Sequence, residues 1–167
     1  TESEKEYTLY FAVTAYQRSL HKEARVFIVH RLDRETSGLL VLAKNLKAKI
    51  FLQGNWEQTV KKYTAVVEGR PRSDEGTIRS SLAQDKFKRV YKSNARGAKE
   101  SVTYYQVLAS NGRYSLLELR LGTGRKNQIR VHLADSGNPV AGDYKYGAAS
   151  DPIGRMALHA SYLSFPH

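Results

Sequence analysis

No cysteine occurs in the 167 residues, which excludes disulfides and thiolate metal sites outright. No apolar run approaches the ~18 residues that a membrane-crossing helix requires. The opening segment, TESEKEYTLY, has neither the basic region nor the apolar stretch of a secretory signal. Internal repeats, low-complexity tracts and a dividing linker are also missing. These absences leave the expectation of a cytoplasmic setting, with no membrane and no disulfide partner. Acidic residues are the other scarcity: 16 Asp and Glu stand against 27 Lys and Arg, a net charge of +11.

What is present fits one domain spanning residues 1–167. At 41% hydrophobic residues with interspersed charge, the composition is that of a globular chain long enough to bury a core. The excess of Lys and Arg attracts polyanions, because each basic side chain placed on a phosphate releases condensed counterions. A nucleic acid is the expected partner class, and a monomer the expected state.

Periodicity predicts an amphipathic helix over residues 7–22, with Leu9, Val13, Tyr16 and Leu20 on one face. A short strand follows at Arg25–Val29. After a polar turn, the uninterrupted run Leu39-Leu40-Val41-Leu42-Ala43 reads as a strand buried on both faces. Asn45 is a suitable N-cap for a helix running through Ile50 and Leu52 towards Trp56. The later chain is strand-rich: Tyr63–Val67, Ser101–Leu108 and Tyr114–Leu121 look extended, with Asn111-Gly112 as the turn between the last two. Leu117, Leu119 and Leu121 alternate with Glu118 and Arg120, a period-two pattern. A helix after Gly124 carries Ile129 and Leu133 on one side and stops at Gly137-Asn138-Pro139. Ala157–Phe165 closes the chain as a strand. The fold class expected is α+β: a single mixed, largely antiparallel sheet with flanking helices.

Between Asp85 and Glu100 lies a dense basic segment that includes Lys86, Lys88, Arg89 and Lys92, with Phe87 and Tyr91 interleaved. Basic side chains contact phosphates and aromatic rings stack on unpaired bases. The plainer reading is a solvated hairpin extension.

The segment His30-Arg31-Leu32-Asp33-Arg34-Glu35-Thr36-Ser37-Gly38 packs two arginines and two carboxylates into a polar turn between apolar runs. Functional groups are often held on such a loop, fixed by rigid neighbours. By itself Asp33 reads as a turn aspartate bonding local N–H groups. The string HRLDRETSGLLVLAK, however, resembles the signature of the RluA family of pseudouridine synthases. KYTAVVEG (residues 62–69), GTGRKNQIRVH (122–132) and ALHA (157–160) are similar to three further motifs of that family, in the expected order. His30 and the QIRVH string resemble this family more than the RsuA-type enzymes.

The resemblance implies isomerisation of uridine to pseudouridine in structured ribosomal or transfer RNA, with no cofactor and no metal. It implies that Asp33 is the catalytic aspartate, that Tyr63 stacks on the displaced uracil and that Arg130 pairs with Asp33. Arg31 would fill the gap left in the RNA, and Ile129 and Leu133 would form the apolar wall. The chemistry fits these residue types. A uracil inside a helix must be extruded to be attacked, at a cost of a few kcal/mol. A stacking aromatic offsets on the order of 1–3 kcal/mol of it. A neighbouring arginine favours the ionised carboxylate against burial.

Three competing readings are an N-glycosidase using Asp33 and Glu35 as paired carboxylates, a non-catalytic RNA-binding module, and a metal enzyme built on His30, Asp33 and His132. His132 and His159 otherwise read as hydrogen-bonded structural histidines, and Asp143 as a loop residue making local bonds. The start of the chain lacks the strand and Asn-Lys-Pro-Ala-Gly-like segment usual in the family, so an N-terminally incomplete domain is expected.

Overall fold

The computed structural model describes residues 8–167. In chain order its elements are α1 (Leu9–Leu20), β1 (Phe27–Ile28), β2 (Ser37–Gly38), β3 (Leu42–Ala43) and α2 (Leu46–Gly54). There follow β4 (Val60–Glu68), β5 (Glu75–Gln84), β6 (Val90–Lys92), β7 (Lys99–Ser110), β8 (Tyr114–Leu121), α3 (Gln128–Asp135) and β9 (Leu158–Ser164). They fall into two compact units. One comprises the chain to Leu32, Leu40–Thr59 and Phe165–His167; the other comprises Asp33–Leu39 and Val60–Ser164.

In the first unit, β1 pairs antiparallel with β3 through Phe27↔Ala43 and Ile28↔Leu42. The Asn45 side chain accepts from Ala48 N at 2.7 Å and starts α2, as expected of an N-cap. Val29, Ala43 and Leu52 form the core, with Phe27, Val41, Trp56 and Phe165 packed against it. His30 stacks on Trp56, with ring centroids 4.5 Å apart, and its Nε2 accepts from Val41 N at 2.9 Å. The first residue of the signature string therefore has a local structural role. Helix α1 begins at Leu9 behind the Thr8 cap, and Tyr7, which the periodicity included, lies outside the described residues. The expected apolar stripe is not buried: Leu9, Tyr16 and Leu20 are exposed, and Tyr10 Oη ties the helix to the Val26 carbonyl.

The second unit is a seven-stranded sheet in the order β2-β9-β4-β8-β7-β5-β6. All pairings are antiparallel except β2 with β9, so the expected mixed, mostly antiparallel sheet is found. Leu117 and Leu119 of β8 are fully buried and cluster with Ala65 and Val67 of β4 and with Ile129 and Leu133 of α3. Each such side chain removed from water contributes about 1.5–3 kcal/mol, which fixes α3 against the sheet.

The run 39–43 is corrected. It is not one doubly buried strand: Leu39 is exposed and bonds Ala160 O beyond β2, whereas Leu42-Ala43 pair with β1. The chain leaves one sheet and enters another within four residues, and a continuous apolar run cannot display that change of partner. A separate two-stranded sheet, β1 with β3, accompanies the seven-stranded one.

Candidate active site

Asp33 opens a turn closed by Thr36 N–H donating to the Asp33 carbonyl at 3.0 Å. Directly afterwards β2 docks on β9 through Ser37↔His159 and Gly38↔Ala160. Gly38 has φ +119°, and a Cβ there would overlap the Ala160 backbone. Only glycine permits this approach, so the position of Asp33 is set by a strand anchored four residues later.

Arg130 projects from the core-packed α3 and is buried. Its guanidinium forks onto Asp143, with Nε to Oδ2 and Nη2 to Oδ1 both 2.7 Å. Its remaining nitrogen, Nη1, stands 3.9 Å from Asp33 Oδ2, and Nη2 lies 3.9 Å from Glu35 Oε2. Burial works against the Arg130 charge. The hydrogen bond and charge of Asp143, followed by the charge of Asp33, outweigh it and raise the guanidinium's pKa. The expected Arg130–Asp33 pair is present as a 3.9 Å ion pair, while the guanidinium's hydrogen bonds go to Asp143. It is the reading of Asp143 that is corrected. Its carboxylate makes a contact 13 residues distant, while only its backbone serves the loop, accepting from Tyr146 N and Ala148 N.

Two residues that the sequence did not single out complete this cluster. Asn127 precedes α3 in the left-handed region, with φ +52°, and is buried. With its amide nitrogen directed at the carboxylate, Nδ2 donates to Asp33 Oδ2 at 2.9 Å and Oδ1 at 3.0 Å, and its oxygen accepts from Tyr146 Oη at 2.9 Å. The reversed amide would set oxygen against carboxylate, so this orientation is the one that satisfies both ends. The signal available in sequence was weak: an Asn at a helix start and a Tyr in the GDYKYG loop.

Tyr63 lies on β4, opposite Leu119 of β8 and Ala160 of β9. It is partly buried against the core cluster. Burial first, and the negative charge of Asp33 second, raise the pKa of its hydroxyl. It is therefore a neutral, rigid ring within the electrostatic field of Asp33.

The other sequence candidates divide. Ile129 and Leu133 are buried in the core cluster, their four-residue spacing turning both towards the sheet. Arg31 is exposed and belongs to the first unit. Lys86, Lys88, Arg89 and Lys92 are exposed on the β5–β6 hairpin. That hairpin is not a free extension: Val90 is buried with Leu82, Val131 and Tyr146, and Val90 N–H donates to Tyr146 Oη at 3.3 Å.

His132 is a structural histidine, as expected. Thr103 Oγ1 accepts from the Gln128 amide at 3.0 Å, leaving its own proton for His132 Nδ1 at 2.9 Å. Ser101 Oγ gives its proton to the Ser80 carbonyl and receives the Nε2–H at 2.9 Å. The ring is thus held neutral, and burial, with Lys92 as a second cause, lowers its pKa to about 4. His159 Nδ1 meets Ser37 Oγ at 2.9 Å. Among the described residues no group of three His, Asp or Glu side chains is arranged to hold a metal ion.

The site therefore defines a class: an α+β protein with one carboxylate held by an amide and a buried guanidinium, beside a neutral aromatic and a basic hairpin. Comparison with known proteins gives the family. The family described as RNA pseudouridylate synthase matches residues 2–135, and the chain belongs to it, among the RluA-type members. The uncharacterized RNA pseudouridine synthase YhcT of Bacillus subtilis is 42% identical over 158 residues, covering 92% of this chain and 52% of that protein. Ribosomal large subunit pseudouridine synthase D of Neisseria meningitidis serogroup A is 39% identical over 175 residues, covering 96% and 46%. The chain thus spans about half the length of the curated relatives it matches. Among solved structures, human RNA pseudouridylate synthase domain containing 4 superposes with a TM-score of 0.76 at 30% identity, covering 90% of this chain and 71% of that one. Human RNA pseudouridylate synthase domain containing 1 gives 0.76 at 29% identity, covering 92% and 69%.

Proposed function

We propose that this protein isomerises uridine to pseudouridine in RNA, with Asp33 as the catalytic carboxylate. The observation that carries the reading is the environment of Asp33. A carboxylate contacted by an amide, 3.9 Å from a buried guanidinium and coupled to Tyr63, is suited to act in its ionised form. Family membership supplies the reaction.

In this reading RNA docks on the basic hairpin and a uridine leaves the stack. Its uracil rests on the Tyr63 ring, which stays un-ionised and so keeps a neutral face for stacking. Asp33 promotes cleavage of the N1–C1′ bond, the electron pair leaving with the base. The uracil turns within the pocket, C5 bonds to C1′, the C5 proton departs and N1 regains a proton. Every atom of the base is retained except that exchanged hydrogen, and no electron is gained or lost. Ribosomal RNA is the substrate favoured by the names of the relatives, and transfer RNA is the alternative that the assay resolves. Arg31 is assigned to the space vacated in the RNA, as an exposed guanidinium two residues from Asp33.

Tritium release from ribosomal and transfer RNA labelled at uracil C5 tests the reading. Release by the intact protein and none by Asp33→Asn is expected. No release from either RNA, or normal release by the variant, overturns it. Free uracil in the supernatant would instead indicate an N-glycosidase working through Asp33 and Glu35.

A further inference from the structure

We infer that Asn127 is a positioning residue for Asp33: its side-chain amide orients the carboxylate and favours its ionised state, and Tyr146 decides which end of the amide faces it. The inference rests on the uridine-isomerisation reading for its kinetic consequences, though not for the contact itself.

The backbone is the first argument. Asn127 occupies the N-cap position of α3, yet its side chain makes no capping hydrogen bond. Gln128 instead reaches back, its Oε1 accepting from Arg125 N at 3.0 Å and Thr123 Oγ1 at 2.7 Å. An asparagine in left-handed geometry is tolerated because its short amide bonds locally. Here the amide is spent on Asp33, and the uncommon φ of +52° is what directs it there. Residues held in sparsely populated backbone regions cluster at functional sites.

The second argument is proton direction. Tyr146 Oη accepts from Val90 N–H at 3.3 Å, so its own proton is free to point at the Asn127 oxygen 2.9 Å away. That bond fixes the amide oxygen towards Tyr146 and its NH2 towards Asp33. The Tyr146 ring is itself held beneath the Arg130 guanidinium, 5.0 Å from ring centre to Cζ. The relay Val90–Tyr146–Asn127–Asp33 thus begins on the hairpin proposed to meet RNA and ends on the carboxylate.

Distances divide the work. The Asn127 nitrogen is within hydrogen-bond range of both Asp33 oxygens, at 2.9 and 3.0 Å. Arg130 at 3.9 Å is beyond it and acts through charge. Asn127 therefore sets where the carboxylate points, and Arg130 sets the potential around it.

Three variants of the full chain test this. Asn127→Gly relaxes the left-handed backbone and removes the donor. Asn127→Asp keeps the shape but turns a carboxylate on Asp33. Tyr146→Phe keeps the ring and frees the amide. Tritium-release kcat should fall on the order of 10–100-fold in Asn127→Gly, the worth of a hydrogen bond to a charged group. It should fall further in Asn127→Asp and less in Tyr146→Phe, with KM for RNA little changed. The acid limb of the kcat profile should move to higher pH in Asn127→Gly. The titration of the Asp33 carboxyl carbon, followed by 13C NMR, should move the same way.

Wild-type kcat in a folded Asn127→Gly overturns the inference. So does a lowered kcat with both the acid limb and the carboxyl titration unmoved, the pattern of a merely structural residue. Should Asn127→Gly not fold, Tyr146→Phe must show the same displacements in smaller measure, and their absence overturns the inference equally. If the wild type releases no tritium, the functional reading fails, while the carboxyl titration still decides whether Asn127 acts on Asp33.

Discussion

The Arg130 guanidinium and the Asp143 carboxylate form a forked pair, two bonds of 2.7 Å between side chains that are both buried. A pair this enclosed contributes little over an apolar replacement, but removing one partner strands the other's charge. Asp143→Ala is therefore expected to cost about 3–5 kcal/mol in urea unfolding. Asp143→Asn, which keeps an acceptor for one arm of the fork, should cost less. The measurement that counts against the pairing is a loss in Asp143→Ala no larger than that of an exposed ion pair, below about 1 kcal/mol.

Tyr63 separates stacking from proton chemistry. Its hydroxyl pKa is raised by burial and by the Asp33 charge, so the phenol is poorly suited to give up a proton. Tyr63→Phe should therefore retain kcat/KM within about threefold, whereas Tyr63→Ala should lose ~10–100-fold, the worth of one stacked base. Steady-state tritium release decides it. A Phe variant as impaired as the Ala variant would assign the work to the hydroxyl.

Much of this site was legible in the sequence, and the part that was not has a physical reason. Strand β8 was readable to the residue because one face is buried and the other is wet, which writes alternation into the chain. Strand β5 was missed: its first six residues alternate between exposed and partly buried, and Gly76, Arg79 and two serines leave no apolar run. Asp33, Tyr63 and Arg130 were singled out through local strings. Asp143 and Asn127 were not, because their importance lies in contacts made 13 and 94 residues away. Each alone reads as ordinary loop chemistry, Asp in a turn and Asn at a helix start. That the Arg130 guanidinium also bonds Asp143 could not be read from either string alone, because the fold brings that loop to α3.

The basic hairpin predicts a salt signature. Lys86, Lys88, Arg89 and Lys92 are exposed, and each phosphate contact contributes about 0.7–0.9 to the slope of log K against log salt. Binding of ribosomal RNA by Lys86→Gln/Lys92→Gln should show a slope shallower by about 1.4–1.8 than wild type. Fluorescence anisotropy across a salt series measures it. Both positions are solvent-facing, so the thermal midpoint should hold. An unchanged slope would return the hairpin to a solvated extension.

His132 makes stability fall in mild acid. Its folded pKa is lowered to about 4 from an ordinary 6.5, by burial and then by Lys92, so between those values the unfolded chain binds the extra proton. Stability from this group is complete above pH 6.5, declines as the pH drops and is lost by about pH 4. At ~1.4 kcal/mol for each pH unit between the two values, the whole transition is on the order of 3 kcal/mol. Carboxylates titrate over part of the same range, so the comparison must be internal. His132→Gln can still donate to Ser101 and accept from Thr103 but carries no titrating ring. Urea unfolding at pH 7.5, 5.5 and 4.5 should show the wild type losing its margin over the variant, or falling below it, as the pH drops. Parallel curves for the two proteins would mean that the ring takes up its proton as readily in the folded protein as in the unfolded chain, and would count against a lowered His132 pKa.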